Sequence, residues 1–266
     1  MERAMLIWRP EDLDRFDSEC DRLYYGHEFC QRLIPSSFEL AAAVDRAAAA
    51  GAAMTLVLPF VTNEGLASGL TIVEQFLEAS PRFPEIVVND WGMAHELKQR
   101  GIPAALVLGR LLTKQKRGPR ILTMAKKLPA SVIEHFKHSN IDVPHYEAFL
   151  REELGIVRVE LDNTLQGIAR VSRLPASLYH PFAYVTTTRQ CLTARCEQPG
   201  RNPRELVACG RECRLYGFEL RHPDMPVPLY IRGNTQFFRN DRLPDDLAAL
   251  CIDRLVETVG IAVSDR

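Results

Sequence analysis

The chain reads as an α/β protein built on a TIM-type (β/α) barrel, complete or distorted, carrying a cysteine-rich loop insertion. Three observations predict this. Short apolar strands alternate with helical segments, as parallel strands joined by right-handed crossovers require. The strands number about eight, which suits a closed barrel. Two long segments break the rhythm, and barrels place such segments where chemistry is done.

The expected strands, in order, are Leu6–Trp8, Leu23–Tyr25, Thr55–Leu58, Ile86–Val88, Ala105–Leu108, Val157–Leu161, Tyr184–Thr187 and Leu229–Ile231. Helical segments lie between several of them. Pro10 to Leu23 opens on a proline suited to a first turn and repeats apolar groups at Leu13, Phe16 and Cys20. Phe38 to Ala50 is alanine-rich and stops at Gly51. Gly65 to Leu77, Trp91 to Arg100 before Gly101, and Tyr146 to Leu154 before Gly155 continue the pattern. Thr113 to Pro144 is long, basic and poor in strand signal. Arg189 to Arg214 has no apolar periodicity and contains Pro199, Gly200 and Pro203. It follows a strand directly. Residues 1–266 therefore read as one barrel-like domain, with 189–214 as a functional insertion within it.

Composition supports a packed body of enzyme size. The chain has 266 residues, 46% of them hydrophobic, enough to bury a large core. Lys and Arg number 33 against 34 Asp and Glu, so the net charge of −1 gives no whole-chain attraction for polyanions. The one basic tract, Lys114, Lys116 and Arg117 with Arg120, Lys126 and Lys127, reads as a solvated face rather than a nucleic-acid groove. The apolar run at Met1–Pro10 is too short for a signal peptide. No stretch approaches the roughly 18 apolar residues of a membrane span. A cytoplasmic location is expected, where thiols stay reduced.

Cysteine usage is the most informative feature. Cys191, Cys196, Cys209 and Cys213 crowd into one short stretch, whereas Cys20, Cys30 and Cys251 are scattered. Soft thiolates gathered in this way point to metal or iron–sulfur ligation. Spacing alone suits a tetrahedral zinc and an iron–sulfur cluster equally. Arg189, Arg195, Arg201, Arg204, Arg211 and Arg214 surround the cysteines and would lower thiolate pKa values and offset cluster charge. Cys20 and Cys251 read as core thiols on apolar helical faces.

Elsewhere the chemistry is thinner. Asp90 follows a strand and reads first as the cap of the next helix, second as a barrel-top carboxylate. Glu160 and Asp162 share a strand face, so they form either a carboxylate pair or solvated charges. His180 and His222 lie near the insertion as minor alternative ligands. The chain has no Gly-x-Ser-x-Gly elbow, no His-Glu-x-x-His helix, no Walker loop and no dinucleotide fingerprint.

Several motifs carry a family resemblance. Tyr24-Tyr25-Gly26-His27-Glu28-Phe29-Cys30 resembles the tyrosine–x–glycine…cysteine element of the collagenase-like peptidase family, peptidase family 32 of unassigned type. Trp8-Arg9-Pro10-Glu11-Asp12-Leu13, Arg189-Gln190-Cys191-Leu192-Thr193-Ala194-Arg195 and Cys209-x₃-Cys213 resemble its ubiquinone-biosynthesis branch, and within that the accessory protein V type. Leu108–Leu112 and Leu229–Gly233 are similar but less specific. The resemblance implies a [4Fe–4S] cluster on Cys30, Cys191, Cys209 and Cys213. It also implies oxygen-independent hydroxylation of an aromatic or prenylated substrate, with a related chain as hetero-oligomeric partner, an electron donor and a small-molecule substrate. Cys196 has no counterpart in the family's run and is a possible replacement for Cys191 or Cys30. His27 stands where the family has a glutamate, with Glu28 one position later. A collagenase-like peptidase and a zinc- or cluster-stabilised scaffold are the alternatives. The catalytic residues are unassigned.

Overall fold

The computed structural model describes residues 1–79, 83–202, 205 and 207–261. Eight parallel strands close into a barrel: β1 (Glu2–Ile7), β2 (Arg22–Gly26), β3 (Ala53–Leu58), β4 (Glu85–Val88), β5 (Ala105–Leu108), β6 (Ile156–Asp162), β7 (Ala176–Tyr179) and β12 (Ile252–Thr258). β12 pairs with both β7 and β1 and so completes the ring. The fold is the expected TIM-type α/β barrel. Between β7 and β12 the chain leaves the barrel to form a four-stranded antiparallel sheet. Its order is β8 (Phe182–Thr187), β11 (Thr235–Arg239), β10 (Leu229–Arg232) and β9 (Gly217–Leu220).

The helices follow the expected segments: α1 (Ser37–Ala49), α2 (Asn63–Ala79), α3 (Trp91–Gln99) and α6 (Pro144–Glu152). Between β5 and α6 the basic segment forms two short helices, α4 (Ile121–Met124) and α5 (Ala130–His135). The helix expected from Pro10 shortens to a 3₁₀ turn over Pro10–Arg15. α1 starts on a capping box in which Ser36 accepts from the Glu39 amide and the Glu39 carboxylate accepts from the Ser36 amide. Alternation along the strands then divides the core. Leu23, Leu56, Leu58, Ile86, Val88 and Leu108 face outward onto Leu40, Ala43, Phe76, Met93 and Leu97 of the helices. Leu6, Tyr24, Val57, Val87, Val107 and Val256 fill the barrel.

Two expected strands have different partners. Tyr184–Thr187 and Leu229–Ile231 lie in the antiparallel sheet, and the barrel is completed by β7 and β12. β12 carries little apolar pattern because charges occupy it, and β7 is only four residues long with Ser177 inside it. Arg254 points into the barrel, where its guanidinium binds Glu85 at 2.6 Å and Glu2 at 2.7 Å, and Asp253 pairs with Arg158 outside. No helix among the described residues is long and apolar enough to cross a membrane.

Candidate metal centre at the barrel mouth

The C-terminal ends of the parallel strands all open on one face, and the loops after β2 and β7 meet there. β2 ends at Gly26, whose φ of +125° and approach to the Val57 carbonyl leave no room for a Cβ, which would lie 2.2 Å from that oxygen. The chain then turns through His27, Glu28 and Phe29 to Cys30, whose carbonyl starts a 3₁₀ turn by accepting from the Leu33 amide at 3.0 Å. From the other side, β8 leads into the loop holding Cys191, and a second 3₁₀ turn, Glu212–Arg214, carries Cys213.

Cys30, Cys191, Cys209 and Cys213 line one small cavity, joined there by His27, Gly233 and Asn234. Cys196 does not line it. Neither do His180, which approaches the Asp241 carbonyl at 3.3 Å, and His222, which lies beside Asp224. The other two cysteines are remote: Cys20 packs in the outer core, and Cys251 is half-buried at a turn with φ of 52°. Neither lies on a helix.

The thiols respond to one another. A hydrogen bond from Cys209 pulls the Cys191 thiol down to about 6, and the same bond, with burial, drives Cys209 well up. Burial pushes Cys213 up to about 12, reinforced by neighbouring Cys191 and Cys30, and burial likewise raises Cys30. The Arg211 amide donates to the Cys209 sulfur at 3.3 Å. Among the described residues, no three His, Cys, Asp or Glu side chains converge closely enough to hold a single metal ion. The four thiols instead surround a space.

One flanking arginine clasps the backbone of the loop, and two tie the insertion to the barrel. Arg201 binds the carbonyls of Leu192 at 2.6 Å and Cys191 at 3.0 Å. Arg214 pairs with Glu39 at 2.8 Å, and Arg189 lies over the Phe60 ring while donating to the Val61 carbonyl. Arg204 and Pro203 lie outside the described residues. Against the outer side of Cys30, Cys191 and Cys209 lies a second cavity of about 280 Å³, walled by Phe29, Phe60, Arg32 and Arg189.

Sequence reasoning did not anticipate the support beneath the site. Arg110, fully buried two residues after β5, binds Glu28 through both carboxylate oxygens and Asp162 at 2.8 Å. Its guanidinium stacks 3.6 Å from the Tyr179 ring centroid. Arg117 closes the set with a 2.5 Å bond to Asp162. Burial raises the Glu28 carboxyl while Arg110 draws it back down. Tyr184 then fastens the inserted sheet, its amide donating to Asp162 at 3.1 Å and its hydroxyl to the Arg110 carbonyl. His27 is a buried imidazole held neutral, its pKa lowered to about 3 by burial and by Arg110. Its Nδ1 accepts from the Phe29 amide at 3.0 Å, and Trp8 packs on the ring.

Asn234 is the second unanticipated residue. Its amide group donates to the carbonyls of Phe29 and Thr188, both at 2.6 Å, tying the Cys30 loop to the Cys191 loop. It follows Gly233, which has φ of +62° and presses against Cys213. A Gly-Asn pair between two apolar runs is a hairpin signal, and that was the available clue.

The other acidic candidates separate. Asp90 caps α3, accepting from the Met93 and Val61 amides, each at 3.1 Å. Asp162 belongs to the arginine network, whereas Glu160 sits deeper, bound to the Tyr24 hydroxyl at 3.1 Å. Burial, first, pushes the Glu160 carboxyl up to about 7.

No family model and no curated protein matches the chain. Among solved structures it is similar to a U32 peptidase, Mk0906, at 12% identity and a TM-score of 0.46, covering 98% of this chain and 93% of that one. It is also similar to a glycoside hydrolase family 18 N-acetylglucosaminidase from Paenibacillus barengoltzii, at 8% identity and a TM-score of 0.39, covering 96% and 94%.

Proposed function

We propose that the chain is an iron–sulfur protein in which Cys30, Cys191, Cys209 and Cys213 hold a [4Fe–4S] cluster at the barrel mouth. The observation that carries this reading is the convergence of these four thiols, drawn from two distant loops, around one cavity that excludes Cys196. The donor chemistry fits, since an all-thiolate set suits iron–sulfur clusters. A tetrahedral zinc on the same four thiols is the competing reading, and metal content separates the two. When bound, such a cluster supplies one-electron chemistry. The chain's own part is to hold the ligands and to offer a ligand-sized space beside them. The cavity of about 280 Å³ walled by Phe29, Phe60, Arg32 and Arg189 supplies that space for a small molecule.

On the motif resemblance, the reaction served is oxygen-independent hydroxylation of an aromatic or prenylated substrate, carried out with a related partner chain and an electron donor. Peptidase chemistry gains no support from the carboxylates: Asp90 is committed to a helix cap and Asp162 to arginines.

Purification without oxygen tests the proposal. The expected product is brown, absorbs broadly near roughly 400 nm and contains about four irons and four sulfides per chain. Cys30→Ala, Cys209→Ala and Cys213→Ala should each lose the iron, while Cys196→Ala keeps it. A colourless protein with one zinc and no iron would sink the cluster. Hydroxylation that persists without oxygen after deletion of the protein would remove the assigned role.

A further inference from the structure

We infer that the excursion between β5 and β6 seats the protein on an anionic lipid bilayer. The inference is independent of any metal at the mouth. Between Leu111 and Asn140 the only acidic residue is Glu134, against Lys114, Lys116, Arg117, Arg120, Lys126, Lys127 and Lys137. Two of these cations are neutralised, Arg117 by Asp162 at 2.5 Å and Lys137 by Glu134 at 2.6 Å. Lys114, Lys116, Arg120, Lys126 and Lys127 have no carboxylate partner within ion-pair distance among the described residues, and all five are exposed. In a chain of net charge −1, so local a surplus is a concentrated positive field.

Charge alone would fit any polyanion; the apolar residues choose among them. α4 is anchored by Ile121, which is buried, and this turns Leu122 and Met124 outward at 37% and 39% exposure. Lys126 and Lys127 follow immediately. Aliphatic groups interleaved with lysines match the boundary between lipid headgroups and acyl chains. A single-stranded nucleic acid would instead call for exposed aromatic rings to stack its bases. Between Leu111 and Asn140 the one Phe, Tyr or Trp is Phe136, half-buried beneath Lys116, and the exposed Phe149 lies apart from the lysines on α6. Arg117, four residues before α4, bonds Asp162 at the C-terminal end of β6, so the excursion sets out from the same end of the barrel as the cysteines.

Vesicle co-sedimentation of the whole chain tests the assignment. Phosphatidylcholine vesicles containing phosphatidylglycerol should carry the protein down, and pure phosphatidylcholine vesicles should not. K126E/K127E should weaken binding by more than roughly twentyfold, at about fivefold per lost lysine. L122S/M124S should weaken it several-fold while leaving the thermal transition unchanged. All four positions are exposed, so folding should survive. Absence of binding to anionic vesicles, or unchanged binding by both variants, would overturn the inference. Binding of RNA without binding of vesicles would overturn it too, and would hand the patch to nucleic acid.

Discussion

The barrel encloses two knots of buried charge, one at each end, and they serve different purposes. At the N-terminal end Arg254 and Arg22 share Glu2 and Glu85, linking β1, β2, β4 and β12 across the barrel floor. Its outer members still touch water: the Glu2 side chain is 27% exposed and that of Arg22 15%. At the C-terminal end Arg110, Glu28 and Asp162 are wholly buried, and two of the three stand on the connections beyond their strands. The lower knot joins strands to strands. The upper knot joins loops to the barrel, and one of those loops carries Cys30. Similar ion pairs therefore secure closure at one end and ligand placement at the other.

Breaking each knot separately should expose this division. Arg110→Met leaves Glu28 and Asp162 buried without their guanidinium, a change that typically costs about 3–5 kcal/mol. Urea unfolding should show that loss, and the protein that remains folded should hold iron poorly. Arg254→Met should also destabilise, yet its folded fraction should load iron normally. Equal iron content in the two folded variants would erase the distinction.

A smaller effect separates the two carboxylates that share the β6 face. Glu160 carries a folded pKa of about 7 against an ordinary 4.5. The folded chain then keeps a proton that the unfolded chain has released, so stability falls as pH rises from about 4.5 to about 7. The drop amounts to about 3 kcal/mol. Glu160→Gln preserves an acceptor for Tyr24 and should flatten that slope in denaturant titrations at pH 5 and pH 8. An unchanged slope would assign the pH dependence to other groups.

Smaller still is the expected effect of Asn234→Ala. It leaves the Phe29 and Thr188 carbonyls without their shared donor, a loss of about 1–3 kcal/mol. Hydrogen exchange should quicken in the loops around Cys30 and Cys191 while the amides of β3 and β4 stay protected. Uniform quickening across the barrel would mean that Asn234 supports the fold as a whole.

Much of the fold was legible because β1 to β5 carry apolar runs, with the helices α1 to α3 between β2 and β5. The pattern fails at β7 and β12, where Ser177, Asp253 and Arg254 occupy strand positions whose polarity is met by partners far away in sequence. Conversely, Tyr184–Thr187 and Leu229–Ile231 look like barrel strands because antiparallel and parallel strands share one local signature. The site divides similarly. Crowded cysteines are visible in one dimension, and Cys30 was reached through a motif rather than through its surroundings. Arg110 and Asn234 stayed hidden because a buried arginine and a turn asparagine acquire meaning only from groups brought close by folding.

The separation of Cys30 from Cys213 along the chain also ties the cysteine site to closure of the barrel. The hairpin that carries Asn234 must meet the β2 loop, and the connection from it leads on to β12, the strand that seals the ring against β1. The four thiols are thus brought together in the closed barrel. A cofactor gripped by all four would bind the native chain and not its precursors, shifting the folding balance toward the closed form by mass action. It would also bridge two loops that otherwise communicate through a handful of hydrogen bonds, so the last step of assembly would be the one that makes the molecule hardest to open.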